Sequence, residues 1–215
     1  LPIISADQQL YFFTRRSLKS GLDVLTPFFV EEFISSEKIN KQFPKGDIMP
    51  YPFNQENNEG GASITIDNKV LYYTKCIRNE KGYINCDIYY VFNHNGVWSE
   101  VQQFSNDISQ PTTWESQPTV SSDGKTIIFA SDRSGGYGKK DLYEINLVDE
   151  KWMAPKNLGS NINSNEQEKS PYLHADGKTL FFASTNFPGL GGFDIFYSRK
   201  DSFGVWQKPI NIGYP

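Results

Sequence analysis

The chain has 215 residues and a formal net charge of −4, with 38% hydrophobic, 15% aromatic and 21% charged residues. That length suffices for one sizeable core or for an array of small repeated units. The mild acidity and the absence of a basic run argue against a nucleic-acid or anionic-membrane surface. No uninterrupted apolar stretch approaches the roughly 18 residues that span a bilayer, so no transmembrane segment is expected. The opening residues, LPIISADQQLYFF, lack the charged n-region and cleavage site of a signal peptide.

Four segments follow one another with the same internal order. Residues 1–56 begin with Pro2 in an extended piece, turn at Asp7, and continue into LYFFT. A long connection around Phe28 and Phe29 then leads to EEFIS, and this first segment holds no tryptophan. Residues 57–111 carry Glu59, Ala62, a turn at Asp67, the run VLYYTK, then DIYYVFN from Asp87 and VWSEVQQF around Trp98. Residues 112–164 carry Trp114, Glu115, Pro118, a turn at Asp123, TIIFAS, a Gly-rich connection with Tyr137, DLYEINL from Asp141, and KWMAPKNL around Trp152. Residues 165–215 repeat this with Glu168, Pro171, Asp176, TLFFAS, a connection with Phe187 and Leu190, DIFYSRK from Asp194, and VWQKPINI around Trp206.

Three anchors agree on the period. The turn aspartates are spaced 60, 56 and 53 residues apart, the strand-start aspartates 54 and 53, and the tryptophans 54 and 54. β-Branched and aromatic runs separated by turn residues imply about four strands per copy, with almost no helical periodicity. A lone four-stranded sheet buries too little, so copies must share faces. Units of this size with four strands each predict an all-β chain, a β-propeller of four-stranded antiparallel blades. Four blades are expected here (about 1–56, 57–111, 112–164 and 165–215, the first divergent), forming one domain that reads as a fragment of a longer protein. Four blades can close a ring, and five to seven are commoner, so the parent has either four blades or five or more.

Cys76 and Cys86 flank the loop IRNEKGYIN at the end of one strand and the start of the next. Antiparallel neighbours at a hairpin base lie at about disulfide distance, which predicts a bridge and an oxidising compartment. Two cysteines without further Cys or His in register fall short of a zinc site, and no metal or cofactor is expected. His94 and His174 have no partner in motif spacing and read as turn or surface residues. No nucleophile elbow is present, and no helix follows the Gly-rich loops to cradle phosphate.

Glu59, Glu115 and Glu168 occupy one position in three copies, where they would ring the upper mouth of a propeller channel. A glycosidase-like pair or cation site is one reading; bonding to backbone N–H groups at blade junctions is the other. Propeller active sites draw different residues from different blades, so a residue repeated in each favours the structural role. The same reasoning makes Asp87, Asp141 and Asp194 strand-start anchors, and Trp98, Trp152 and Trp206 packing residues. Function is then expected in what differs between copies: Trp114, Tyr137, Phe187, Leu190, Phe28 and Phe29, aromatic or apolar residues suited to a protein partner.

The pattern E-x-x-P-x-x-S-x-D-G-K-T-L-x-F-A-S, then G-x-G-G-x-D-I-F, then G-x-W-x-x-P-x-N-x-G resembles the TolB-like propeller repeat over essentially the whole chain. The stretches WESQPTVSSDGKTIIFASDRSGGYG, PKNLGSNINS and GLGGFDIFYS are similar to the propeller segment of OmpA-family envelope proteins of Bacteroidota. Some of those belong to the type IX secretion and gliding machinery. The resemblance implies a periplasmic, outer-membrane-associated, non-catalytic scaffold for envelope protein partners. Peptidoglycan would be bound only through a domain this chain lacks. The competing expectation is a carbohydrate-binding or glycoside-hydrolase propeller; a serine-peptidase propeller would require a hydrolase domain.

Overall fold

A computed structural model describes residues 2–19, 28–55, 58–78 and 82–213. The described residues form 18 strands and no helix. Repeat 1 holds β1 (Ile3–Ile4), β2 (Leu10–Lys19), β3 (Phe28–Glu37) and β4 (Asp47–Ile48). Repeat 2 holds β5 (Asn58–Ile64), β6 (Val70–Arg78), β7 (Ile84–His94), β8 (Val97–Trp98) and β9 (Gln102–Gln103). Repeat 3 holds β10 (Glu115–Val120), β11 (Thr126–Ser131), β12 (Asp141–Val148), β13 (Lys151–Trp152) and β14 (Lys156–Asn157). Repeat 4 holds β15 (Glu168–Leu173), β16 (Thr179–Ser184), β17 (Asp194–Arg199) and β18 (Ile210–Asn211). Each repeat is an antiparallel meander, its inner strand pairing the second, the second the third, and the third the short outer pieces. A single parallel pair, Glu31 opposite Asn58, joins repeats 1 and 2 into one nine-stranded sheet. The parallel bridge Lys140–Gln167 marks the same point between repeats 3 and 4.

The turn between the first two strands explains the D-G signature. Asp7, Asp67, Asp123 and Asp176 each accept the N–H of the residue two positions on. The residue between them sits at positive φ: Gln8 at 58°, Asn68 at 58°, Gly124 at 71° and Gly177 at 65°. Glycine and asparagine adopt that conformation at little cost, whereas the glutamine of repeat 1 is strained there.

A β-bulge interrupts the inner strands of repeats 2, 3 and 4, between Gly60 and Ser63, Ser116 and Thr119, and Lys169 and Tyr172. Gly61, Gln117 and Ser170 take positive φ there. Pro118 and Pro171 are tolerated beside the bulge because it needs no ladder donor. The bulge also frees backbone N–H groups for the preceding repeat. Val120 N–H donates to Ser63 Oγ and Leu173 N–H to Thr119 Oγ1, each at 3.0 Å. Gln117 N–H donates to Thr74 Oγ1 at 2.9 Å, and Ser170 N–H to Gln117 Oε1 at 2.8 Å.

Three apolar cores lie one at each junction. Phe12, Phe33 and Phe53 meet Leu71, Tyr73 and Val91 between repeats 1 and 2. Tyr72, Ile88 and Phe104 meet Ile127, Phe129 and Tyr143 between repeats 2 and 3. Ile128, Ala130 and Leu142 meet Leu180, Phe182 and Phe196 between repeats 3 and 4. The apolar runs are continuous because the second strands of repeats 2 and 3 are buried on both faces. Among the described residues, no strand of repeat 4 contacts a strand of repeat 1.

The structure differs from the expectation in three places. The cysteine hairpin continues two pairs beyond Cys76–Cys86, through Ile77–Asn85 and Arg78–Ile84, because β-branched Ile77 and Ile84 prolong the pairing; residues 79–81 of its loop lie outside the described residues. Phe28 and Phe29 stand not in a connection but in β3, opposite Lys19 and Leu18, with the Arg16 guanidinium 4.1 Å from the Phe29 ring. The rest of that connection, residues 20–27, lies outside the described residues. The outer strand is broken into two short pieces in repeats 2 and 3; in repeat 3 Pro155, between them, has no N–H to donate.

Candidate functional site

The repeated carboxylates are deeply buried: Glu59 is 1% exposed, and Glu115 and Glu168 are 0% exposed. Each clamps the connection entering its own inner strand. Glu59 accepts the N–H groups of Asn54 and Gln55 at 2.8 and 3.0 Å. Glu168 accepts Ser164 N–H, the Ser164 hydroxyl and the Ser184 hydroxyl at 2.6–2.8 Å. Glu115 accepts Gln110 N–H and the hydroxyls of Thr113 and Ser131, and also pairs with Arg133 Nη2 at 3.1 Å. Arg133, its side chain 8% exposed, donates as well to the Ile108 carbonyl. Sequence reasoning missed this arginine. Its signal was available, since the matching position in repeat 4 is Asn186.

The strand-start aspartates work on the other side of the same junctions. Asp141 accepts the N–H groups of Tyr137 and Gly138 and the Asn157 amide; Asp194 accepts those of Leu190 and Gly191. Each thereby pins a Gly-rich loop, and a side chain at Gly136 or Gly189 would run into the carboxylate. In repeat 2 the disulfide hairpin replaces that loop. Asp87 is left with the Asn85 amide at 2.8 Å, while its Oδ1 is buried without a partner. Burial pushes the Asp87 carboxyl up to about 7, and the neighbouring Glu115 carboxylate adds to the shift.

This shift has a definite sign. The folded pKa lies above the ordinary 3.8, so the folded chain holds the proton more tightly. The group's contribution to stability is complete below about pH 4, falls as pH rises towards 7, and is flat beyond. Asp87→Asn is expected to abolish that slope and to gain about 1–2 kcal/mol at pH 8 relative to wild type, a figure reduced from the full shift for solvent screening. Denaturant midpoints at pH 5, 6, 7 and 8 measure it.

Cys76 and Cys86 are directly paired across β6 and β7 and form a disulfide ten residues apart. Cross-linking a loop of this size restricts the unfolded chain by about 2–3 kcal/mol. Reduction, or the double change to serine, is expected to lower the guanidinium midpoint accordingly, with a slightly steeper slope as the freed unfolded chain exposes more surface.

The non-repeated candidates separate into three settings. Trp114, 37% exposed, borders a cavity of about 380 Å³ together with Arg16, Glu31, Gly60, Gly61 and Gln117. Lys140 Nζ lies 3.9 Å from the Trp114 ring, and burial lowers the pKa of that amine. Phe28 and Phe29 are exposed at the start of β3, Phe29 beneath Arg16. Tyr137 and Leu190 are exposed on the two aspartate-pinned loops. Phe187 differs from the expectation: it is half-buried, its ring centroid 5.5 Å from that of Phe196 and 6.3 Å from that of Phe182, because the Asn-Phe-Pro loop folds it back onto the junction core. Lys140 and Gln117 were not foreseen.

His174 stands beside Asp176 on the exposed D-G turn, and His94 ends β7. Among the described residues no cluster of three His, Cys, Asp or Glu is arranged to hold a metal ion, and no helix is long and apolar enough to cross a membrane.

No known family profile matches the sequence, and no curated protein matches it significantly. Solved structures do match. TolB from Acinetobacter baumannii superposes with a TM-score of 0.57 at 16% identity, over 96% of this chain and 42% of that one. A thermostable family-43 glycoside hydrolase gives 0.54 at 13% identity, over 99% and 73%. The endo-arabinase from Bacteroides thetaiotaomicron gives 0.52 at 13% identity, over 100% and 80%. The fold is propeller-like. Identities this low carry the propeller-like fold and nothing of activity, and the chain spans less than half the length of TolB.

Proposed function

We propose that the four repeats are consecutive blades of a β-propeller that acts as a non-catalytic platform for protein partners in a bacterial envelope. One contrast carries this reading. The glutamates that repeat between blades, Glu59, Glu115 and Glu168, are engaged by backbone, hydroxyl and guanidinium donors, whereas the non-repeated residues Phe28, Phe29, Trp114, Tyr137 and Leu190 are exposed. By topology these stand where second strands pass to third strands, or where one repeat enters the next. Aromatic groups on a rigid rim are the usual anchors of protein contacts. The disulfide supports an oxidising compartment, as in the periplasm or outside the cell. Association with the outer membrane, and with type IX secretion or gliding, rests on the sequence resemblance to OmpA-family envelope proteins.

A second reading is supported by the Trp114 cavity, whose polar walls and single large aromatic face suit stacking on a sugar ring; two of the matched structures are glycan-cleaving enzymes. Crosslinking capture from native envelopes tests both. Specific envelope proteins, lost with Trp114→Ala, are the expected outcome. Recovery of no envelope protein, together with glycan turnover by the purified chain, would overturn the platform.

A further inference from the structure

Each repeated tryptophan keys its own repeat onto the sheet before it. Trp98 stands edge-on to Phe53 of repeat 1, ring centroids 5.5 Å apart. Trp152 stands edge-on to Tyr72 and Phe104 of repeat 2 at 6.4 and 5.8 Å. Trp206, 6% exposed, lies in the core shared with Ile128 and Leu158 of repeat 3. The receiving positions are therefore equivalent: Tyr72, Tyr90 and Phe104 in repeat 2, and Ile128, Glu144 and Leu158 in repeat 3. In repeat 3, Glu144 is answered by Lys200, which also covers the Trp206 ring.

Repeat 4 carries the same receiving positions as Phe181, Tyr197 and Ile212. Phe181 and Tyr197 face each other across β16 and β17, centroids 6.0 Å apart, and Tyr172 extends the ladder at 6.2 Å. Tyr72 and Tyr90 are spaced alike, at 5.9 Å, beneath their tryptophan. Among the described residues, no tryptophan is seated on repeat 4. Tyr172, Ile195, Ile210 and Ile212 are about half exposed, and a cavity of about 430 Å³ opens between Phe181, Tyr197, Arg199, Ile210 and Ile212.

We propose that this face is a tryptophan socket, and that its occupant is the tryptophan-led segment (W-x-x-P-x-N) of a further sheet of this same repeat class. The occupant is not repeat 1, which has no tryptophan and whose outward side holds Glu32 with Lys19 and Arg15; burying those charges against an apolar ladder is unfavourable. A second copy does not supply it either, since Trp98, Trp152 and Trp206 are already seated and Trp114 lies elsewhere. Trp152 and Trp206 sit on sheets of the same geometry, so the socket needs no rearrangement to accept one more.

The inference rests on the blade reading but uses a different surface from the rim, so the two fail separately. The test uses the intact chain and a labelled peptide with the sequence of residues 201–212, DSFGVWQKPINI, read by fluorescence anisotropy. Saturable binding is expected, at least tenfold tighter than for the peptide with alanine in place of tryptophan. Phe181→Asp with Tyr197→Ser should weaken it at least tenfold and leave the melting temperature within a few degrees, since both side chains lie on an open face. Envelope capture through the rim should be unchanged in that variant. No saturable binding up to millimolar peptide, equal affinity for the alanine peptide, or indifference to the double substitution overturns the socket. So does a concentration-dependent dimer of the chain that the double substitution abolishes, which would make the face a self-association surface.

Discussion

Glu115→Ala is expected to destabilise the chain by about 3–5 kcal/mol, and Glu115→Gln by less. The carboxylate is fully buried and is the acceptor for Gln110 N–H, two hydroxyls and the Arg133 guanidinium. Removing it leaves an arginine charge in a site where its side chain is 8% exposed, and an uncompensated buried charge is among the costliest single changes. Glutamine keeps an acceptor for part of the network but not the charge. Arg133→Met, which removes the stranded cation, should recover a large part of the loss in the Glu115→Ala background. Equilibrium denaturation of the unchanged chain, Glu115→Ala, Arg133→Met and the double variant forms a double-mutant cycle. A strictly additive cycle would show that Glu115 and Arg133 act independently.

Phe182→Ala is the second large effect, expected at about 3–5 kcal/mol. Phe182 is 1% exposed between repeats 3 and 4, clustered with the rings of Phe187 and Phe196 at 6.3 and 6.2 Å. Its loss should fall unevenly along the chain. Repeat 4 is held by repeat 3 on one face, and its other face is open. Amide exchange should therefore rise in β15–β17 well before it rises in β5–β7, since modules that touch only their neighbours unfold nearly independently. Uniform acceleration through all four repeats would contradict that picture.

Much of this arrangement was written in the residues. The period, the D-G turns and the opposed cysteines follow from local chemistry, because each depends on contacts within one hairpin. The buried setting of Glu59, Glu115 and Glu168 was the favoured reading for a similar reason: repetition at one register position marks a part that every copy needs. What could not be read depends on differences between copies. Asp87 matches Asp141 in sequence, yet the donors that satisfy Asp141 come from a Gly-rich loop and from Asn157, both replaced in repeat 2. Phe187 looked like a rim residue because its neighbours are glycine and proline; its burial depends on Phe182 and Phe196 of the same repeat, in the core at the junction with repeat 3. Arg133 differs from its counterpart Asn186 in sequence, but its role comes from partners distant along the chain, Glu115 of its own repeat and the Ile108 carbonyl of repeat 2.

Serial connection also has a mechanical consequence. With no strand of repeat 4 touching repeat 1 among the described residues, a pull applied across the four repeats is borne in full by every junction in turn. The chain should therefore extend in discrete steps, and the hairpin closed by Cys76 and Cys86 would stay shut throughout, withholding its short length from the extension until a reductant is added.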